Sequence, residues 1–197
     1  MKYSKQWLVI VAILIPFGVH ADNTPVYKSK YIGQEKREIK SLSPDDIEQL
    51  KSGEGWGLAK AAELNGMPGP AHVLQMKDKI SLTKQQEQRI SEIFNNMKSR
   101  AIPLGKQLVD LEKDLNQSFE KQSIDEKSLK TKIEKIASVT ANLRYVHLSA
   151  HLETPTILTS EQIALYNKLR GYSNKNPCEH IPEGHDAAMW LKHNGCQ

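Results

Sequence analysis

Two long stretches of the chain carry apolar residues at alternating spacings of three and four. In the first, Ile90, Ile93, Met97, Ala101, Leu104, Leu108, Leu111 and Leu115 recur on one helical face. In the second, Leu129, Ile133, Ile136, Thr140, Leu143, His147 and Ala150 do the same. A 3-4 alternation is the seam of helices packed at shallow angles. The first stretch predicts a helix over residues 84–118, about 52 Å long at 1.5 Å per residue. Pro103 lies inside it, removes one backbone hydrogen bond and predicts a kink, and Gly105 adds local weakness. The second helix is expected to end near Glu153, because Pro155 disfavours a helical Thr154. Gln122 to Asp125 reads as the connection, with Ser123 as N-cap and Glu126 at N3.

Shorter elements flank this pair. Ser43-Pro44-Asp45-Asp46 reads as an N-cap, a proline at N1 and acids in the first turn, opening a helix to about Leu50. Residues 58–64 look helical and stop at Asn65-Gly66. Met67 to Pro70 is a turn, and from Ala71 a helical turn carries His72, Val73 and Met76. A last helix starts at Thr159 and carries Ile163, Tyr166, Leu169 and Arg170, with Gly171 as its C′ residue. Residues 22–43 are polar and without period. No strand pattern appears. The fold class expected is all-α: a long antiparallel helical hairpin with short flanking helices. Leu148 and Leu152 lie off the seam of the second helix, so a second copy of the hairpin is expected to cover them, as a homodimer.

The N-terminus bears on location. Lys2 and Lys5 precede an apolar run from Trp7 to Val19, and Val19-His20-Ala21 places small residues at −3 and −1. That is the form of a cleaved secretory signal peptide over residues 1–21, and the expected compartment is the periplasm. Removing it takes two lysines and no acids, so the formal charge falls from +4 to +2. Near-neutral charge with interspersed signs argues against nucleic acid as a partner. The remaining chain divides into an N-terminal extension (22–69), the hairpin domain (70–173) and a C-terminal tail (174–197). Cys178 and Cys196 are the only cysteines. Export permits a disulfide between them, which would close a loop holding His180, His185, Trp190 and His193. The same residues also admit a Cys/His metal site, although they lack the tight C-x-x-C spacing of a zinc module.

One phrase occurs twice: Leu82-Thr83-Lys84-Gln85-Gln86 and Leu158-Thr159-Ser160-Glu161-Gln162 both read L-T-x-x-Q. Each has the form of a capping box, in which Thr accepts from the N3 backbone N–H and the N3 Gln reaches back to the N-cap. Thr83, Gln86, Thr159 and Gln162 are the capping residues. Two copies in an exported helical chain resemble the LTxxQ superfamily of periplasmic proteins, which includes Spy/CpxP-like envelope-stress proteins and heavy-metal-sensing relatives. The resemblance covers roughly residues 70–172. It implies a dimer of hairpins and either metal binding or ATP-independent chaperone activity on unfolded clients. A membrane-anchored signalling partner is also implied.

Candidate chemistry is sparse. His147 and His151 are four apart on a predicted helix, so their side chains are neighbours that can share Zn²⁺, Cu²⁺ or Ni²⁺. His72 and Met76 repeat the spacing with a softer second donor. H-x-x-x-H and H-x-x-x-M pairs of this kind are similar to those of nickel- and cobalt-sensing relatives. The bland alternatives stand beside these: His147 as a hydrogen-bonded core residue, His72 as a turn cap, Met76 as core. No Ser, Cys or Thr sits in a nucleophile motif, and H-E-x-x-H is missing. Gly53, Gly55 and Gly57 around Trp56 do not make a phosphate loop, since no strand precedes them and no Lys-Ser/Thr follows. The carboxylates alternate with lysines, as in Glu112-Lys113-Asp114, in the manner of solvated faces. The expected function is therefore non-enzymatic.

Overall fold

The computed structural model describes residues 27–172, 178, 181 and 184–196. The predicted signal peptide and His180 lie outside these residues. The chain divides into a unit Met1–Ile32 and a unit Gly33–Gln197, and all the described helices belong to the second. The described residues form helices and no strands. A 3₁₀ turn at Gln34–Lys36 leads to α1 (Pro44–Ser52), α2 (Lys60–Glu63), α3 (Pro70–Gln75), α4 (Lys84–Glu120) and α5 (Glu126–Glu153). A second 3₁₀ turn (Thr154–Ile157), α6 (Ser160–Leu169) and α7 (Ala187–His193) complete the order.

The caps follow the sequence closely. Ser43, Thr83 and Thr159 each accept a hydrogen bond from the N3 backbone N–H, and Asp46, Gln86 and Gln162 return the bond. At α5 the expected Ser123 is not the cap. Asp125 takes that place, with Ser128 at N3. Either residue satisfies the chemistry, and the carboxylate is the better acceptor for a helix N-terminus. Residues 58–64 form a shorter helix than the pattern suggests, because turns occupy positions 56–59.

The main core lies between α4 and α5 and includes Met97, Ala101, Leu108, Val139, Leu143, Val146 and Ala150. On α4 the expected face is the buried one. On α5 the expected Leu143, His147 and Ala150 are buried, Val139 and Val146 widen that face, and Ile133 is 46% exposed. A third layer, which the polar character of residues 22–43 conceals, joins this core. Ile39 and Leu42 are buried in the same cluster as Leu50 of α1. Residues 38–41 are strapped along α4: the Lys40 N–H donates to Asn116 Oδ1, Asn116 donates to the Glu38 carbonyl, and the Ser41 hydroxyl donates to Glu112. Asp114 of α4 and Lys132 of α5 form an ion pair across the long helices.

Gly105 takes a role opposite to the weakness expected of it. α4 runs unbroken through Pro103 and Gly105, and Gly105 is the seat of α1. A Cβ there would stand 1.9 Å from the Leu50 carbonyl oxygen. The missing side chain lets one backbone rest on another.

A second cluster, Val73, Ile80, Ile90 and Tyr166, ties α3, α4 and α6 together, with Met76, Leu82 and Ile157 against it. Here the two capping glutamines meet. Gln86 Nε2 donates to Gln162 Oε1 at 2.9 Å, and Gln162 Nε2 donates to Gln86 Oε1 at 3.1 Å. Gln86 also donates to the Ile157 carbonyl, and Gln162 lies within reach of the Ile80 and Ser81 carbonyls.

In an exposed helix Gly→Ala would stabilise by about 1 kcal/mol through propensity. Gly105→Ala should instead destabilise the protein by about 2–3 kcal/mol, because the atom it meets is backbone and cannot turn aside. Urea unfolding midpoints of the two proteins measure both the sign and the size.

Candidate functional site

A cleft of about 670 Å³ opens where α2, α3, α4 and α5 approach one another, and His72, His147 and His151 all line it. α5 places His147 and His151 one turn apart on its buried side, 2% and 8% exposed. α3 brings His72 to the same cleft, half-buried, with Nδ1 3.0 Å from Gln75 Oε1. Met76 does not join them: it packs into the second cluster with Val73 and Tyr166. The Met76 N–H keeps the i,i+4 bond to the His72 carbonyl at 3.1 Å, but its side chain packs with the fully buried Val73 three residues before it.

The three imidazoles are held differently. His151 Nδ1 is 2.8 Å from the Met67 carbonyl oxygen. A carbonyl only accepts, so Nδ1 is the donor, and in the neutral ring Nε2 is the nitrogen with the lone pair. The ring lies on Gly69, where a Cβ would stand 2.4 Å from Nε2. His147 has no such anchor at Nε2, which is buried without a hydrogen-bond partner. Burial, with a smaller contribution from neighbouring His151, pushes the His147 pKa down to about 4. His147 is therefore neutral at physiological pH.

One wall rests on a carboxylate. Glu63 of α2 has a side chain only 12% exposed, and its Oε1 accepts from Tyr166 at 2.8 Å, Tyr172 at 3.0 Å and Arg170 Nε at 3.2 Å. Its Oε2 lies 4.0 Å from His151 Nδ1. Burial and the hydrogen bond to Glu63 together push the Tyr166 phenol well above its ordinary pKa, so it remains a neutral donor. Three side chains from distant positions thus fix α2 against the end of α6. Nothing in the sequence marks Glu63, since a lone glutamate before Asn-Gly has no spacing signature. Arg170 and Tyr166 are legible only as helix residues.

Among the described residues no group of three or more His, Cys, Asp or Glu side chains gathers to hold a metal ion. Cys178 and Cys196 are placed as a disulfide pair. In that tail His185 meets Trp190 edge-on, with ring centroids 5.0 Å apart. No known family model, curated protein or solved structure matches the chain.

The neutral burial of His147 fixes a pH dependence. Its pKa is about 4 folded against an ordinary 6.5. Above pH 6.5 its contribution to stability is complete. As the pH falls from 6.5 to about 4, the unfolded chain takes up the proton first and stability is lost, by up to about 3 kcal/mol. The carboxylates also titrate toward the low end of this range, so the measurement is a difference. Unfolding free energies between pH 7 and 4 should fall more steeply for the wild type than for His147→Leu.

Proposed function

We propose that this chain is a non-enzymatic periplasmic metal-binding protein of the LTxxQ type, sensing or buffering Cu, Zn or Ni during envelope metal stress. The observation that carries this reading is the state of the two α5 histidines. His147 is neutral and buried with Nε2 unpartnered, and His151 is oriented by a backbone carbonyl at Nδ1. A ring nitrogen tied to a carbonyl is the usual outer-shell arrangement of a metal-ligating histidine, because it fixes the tautomer and leaves the other lone pair free. His72 lines the same cleft, but it does not gather with the α5 pair into a three-donor group. The remaining ligands would be water or an incoming partner, as suits a site that exchanges its metal. The reciprocal bond between the two L-T-x-x-Q glutamines supports the kinship, since it gives the repeated phrase a joint structural role.

We read α4 and α5 as an antiparallel hairpin that pairs with a second copy. Ile133, Ala137, Ala141, Tyr145, Leu148 and Leu152 form an apolar stripe at spacings of three and four along α5, and all but Leu148 are exposed. Tyr145 and Leu152 are more than 60% exposed. A stripe of this length on a water-soluble chain calls for a cover. The same stripe favours a second reading, an ATP-independent chaperone that offers it to unfolded clients. A membrane-anchored signalling partner fits the sensing role.

Two measurements test these readings. His147→Leu replaces an orphaned polar group by an apolar one of similar size, so the melting temperature should hold or rise. Zinc, copper and nickel affinity by calorimetry should fall at least tenfold. Metal affinity equal to wild type would remove His147 from the site and leave the chaperone reading the stronger. Separately, Tyr145→Glu with Leu152→Glu should turn a sedimenting dimer into a monomer without lowering the melting temperature. A wild-type monomer at micromolar concentration would assign the stripe to clients.

A further inference from the structure

The cleft is far larger than a bare ion needs, and its walls are of mixed chemistry. A volume of about 670 Å³ falls in the range of sites that enclose small organic molecules. One side is apolar. Phe94 and Met97 come from α4, and Leu64, 62% exposed, stands at the end of α2. The Lys60 and Lys98 side chains also line the cleft, and neither makes an ion pair with a described residue. The Lys98 ammonium sits 5.7 Å from the Phe94 ring centroid, which places the cation beside the apolar wall. Of the two carboxylates present, Glu63 is already matched by Arg170, and Glu54 is the other. At the buried end is His147, with a ring nitrogen that has no partner within the protein.

These features belong together. Apolar walls reward a molecule with an apolar body. Two unpaired ammonium groups beside those walls reward a negative charge, through charge-assisted hydrogen bonds. We propose that this cleft binds a small amphipathic carboxylate. Its ring or chain lies against Phe94, Met97 and Leu64, its carboxylate meets Lys60 and Lys98, and its far end rests against the His147 ring. This site requires no metal, so it is separable from metal binding although both use His147.

The test uses the full mature chain in EDTA, with 2-naphthoate substituted by a hydroxyl at the far ring (6-hydroxy-2-naphthoate) as the probe. Calorimetry should show saturable binding at one molecule per chain. The uncharged 6-hydroxy-2-naphthalenemethanol should bind at least tenfold more weakly. Lys60→Gln with Lys98→Gln, both on accessible side chains that leave the fold alone, should weaken the acid at least tenfold and leave the alcohol unchanged. His147→Leu should weaken both, while Tyr145→Ser with Leu152→Ser should change neither. Absence of saturable binding overturns the proposal. So does equal affinity for acid and alcohol, or binding lost with the α5 stripe and kept in the lysine variant. Binding that appears only when Zn²⁺ is added also overturns it, because the acid would then be completing a metal site, and the metal reading would stand by itself.

Discussion

The amide pair between Gln86 and Gln162 holds the two halves of the molecule in register. Each glutamine first completes its own capping box, accepting from Thr83 N–H or Thr159 N–H. The remaining amide hydrogens then cross to the other glutamine and to carbonyls in the other half. Because the first bond orients the amide, the second costs little further side-chain entropy. Around this pair lie the turn before α4, where Ser81 holds a left-handed φ of 53°, and the 3₁₀ return before α6. A strained turn of this kind persists only where its surroundings over-determine it, and the Gln162 amide is part of that constraint. With α6 located, Tyr166 and Arg170 reach Glu63 and complete the wall of the cleft.

Much of this fold is legible in the chain, because helices announce themselves locally. The seam of α4, the proline that opens α1 and both threonine caps depend on residues within a turn or two, whereas Thr154 stays helical (φ −57°, ψ −45°) before Pro155 and a 3₁₀ turn carries on to Ile157. What escapes is whatever depends on a distant partner. Ile39 and Leu42 sit in a polar stretch with no period, and they are core only because α4 offers them a surface. α5 buries Val139 and Val146 beside the expected Leu143, His147 and Ala150, a wider arc than a two-helix seam requires. The choice of Asp125 over Ser123 is a local matter that two adjacent acceptors leave open.

The site divides in the same way. The histidine pair on α5 is a matter of spacing, and α3 does bring His72 to it. Met76 shows the limit of a spacing rule: it keeps the i,i+4 backbone bond to His72, yet its flexible side chain is claimed by the apolar cluster around Val73. Glu63 shows the opposite limit. It has no motif, yet three side chains from positions more than one hundred residues away converge on it. Its burial and its partners come into being together, and neither can be read without the other.

Gly105 has a mechanical consequence for the cleft. A helix docked through flexible side chains can slip along its neighbour and find another fit. α1 instead rests in a notch one side chain deep, cut in α4 by the absence of a Cβ, and a notch has one position. The chain that leaves α1 at Gly53 goes straight on to form one flank of the cleft through Glu54, Gly55 and Gly57. The opening of the cleft is thus indexed to a fixed point along α4, as a stop sets the travel of a jaw.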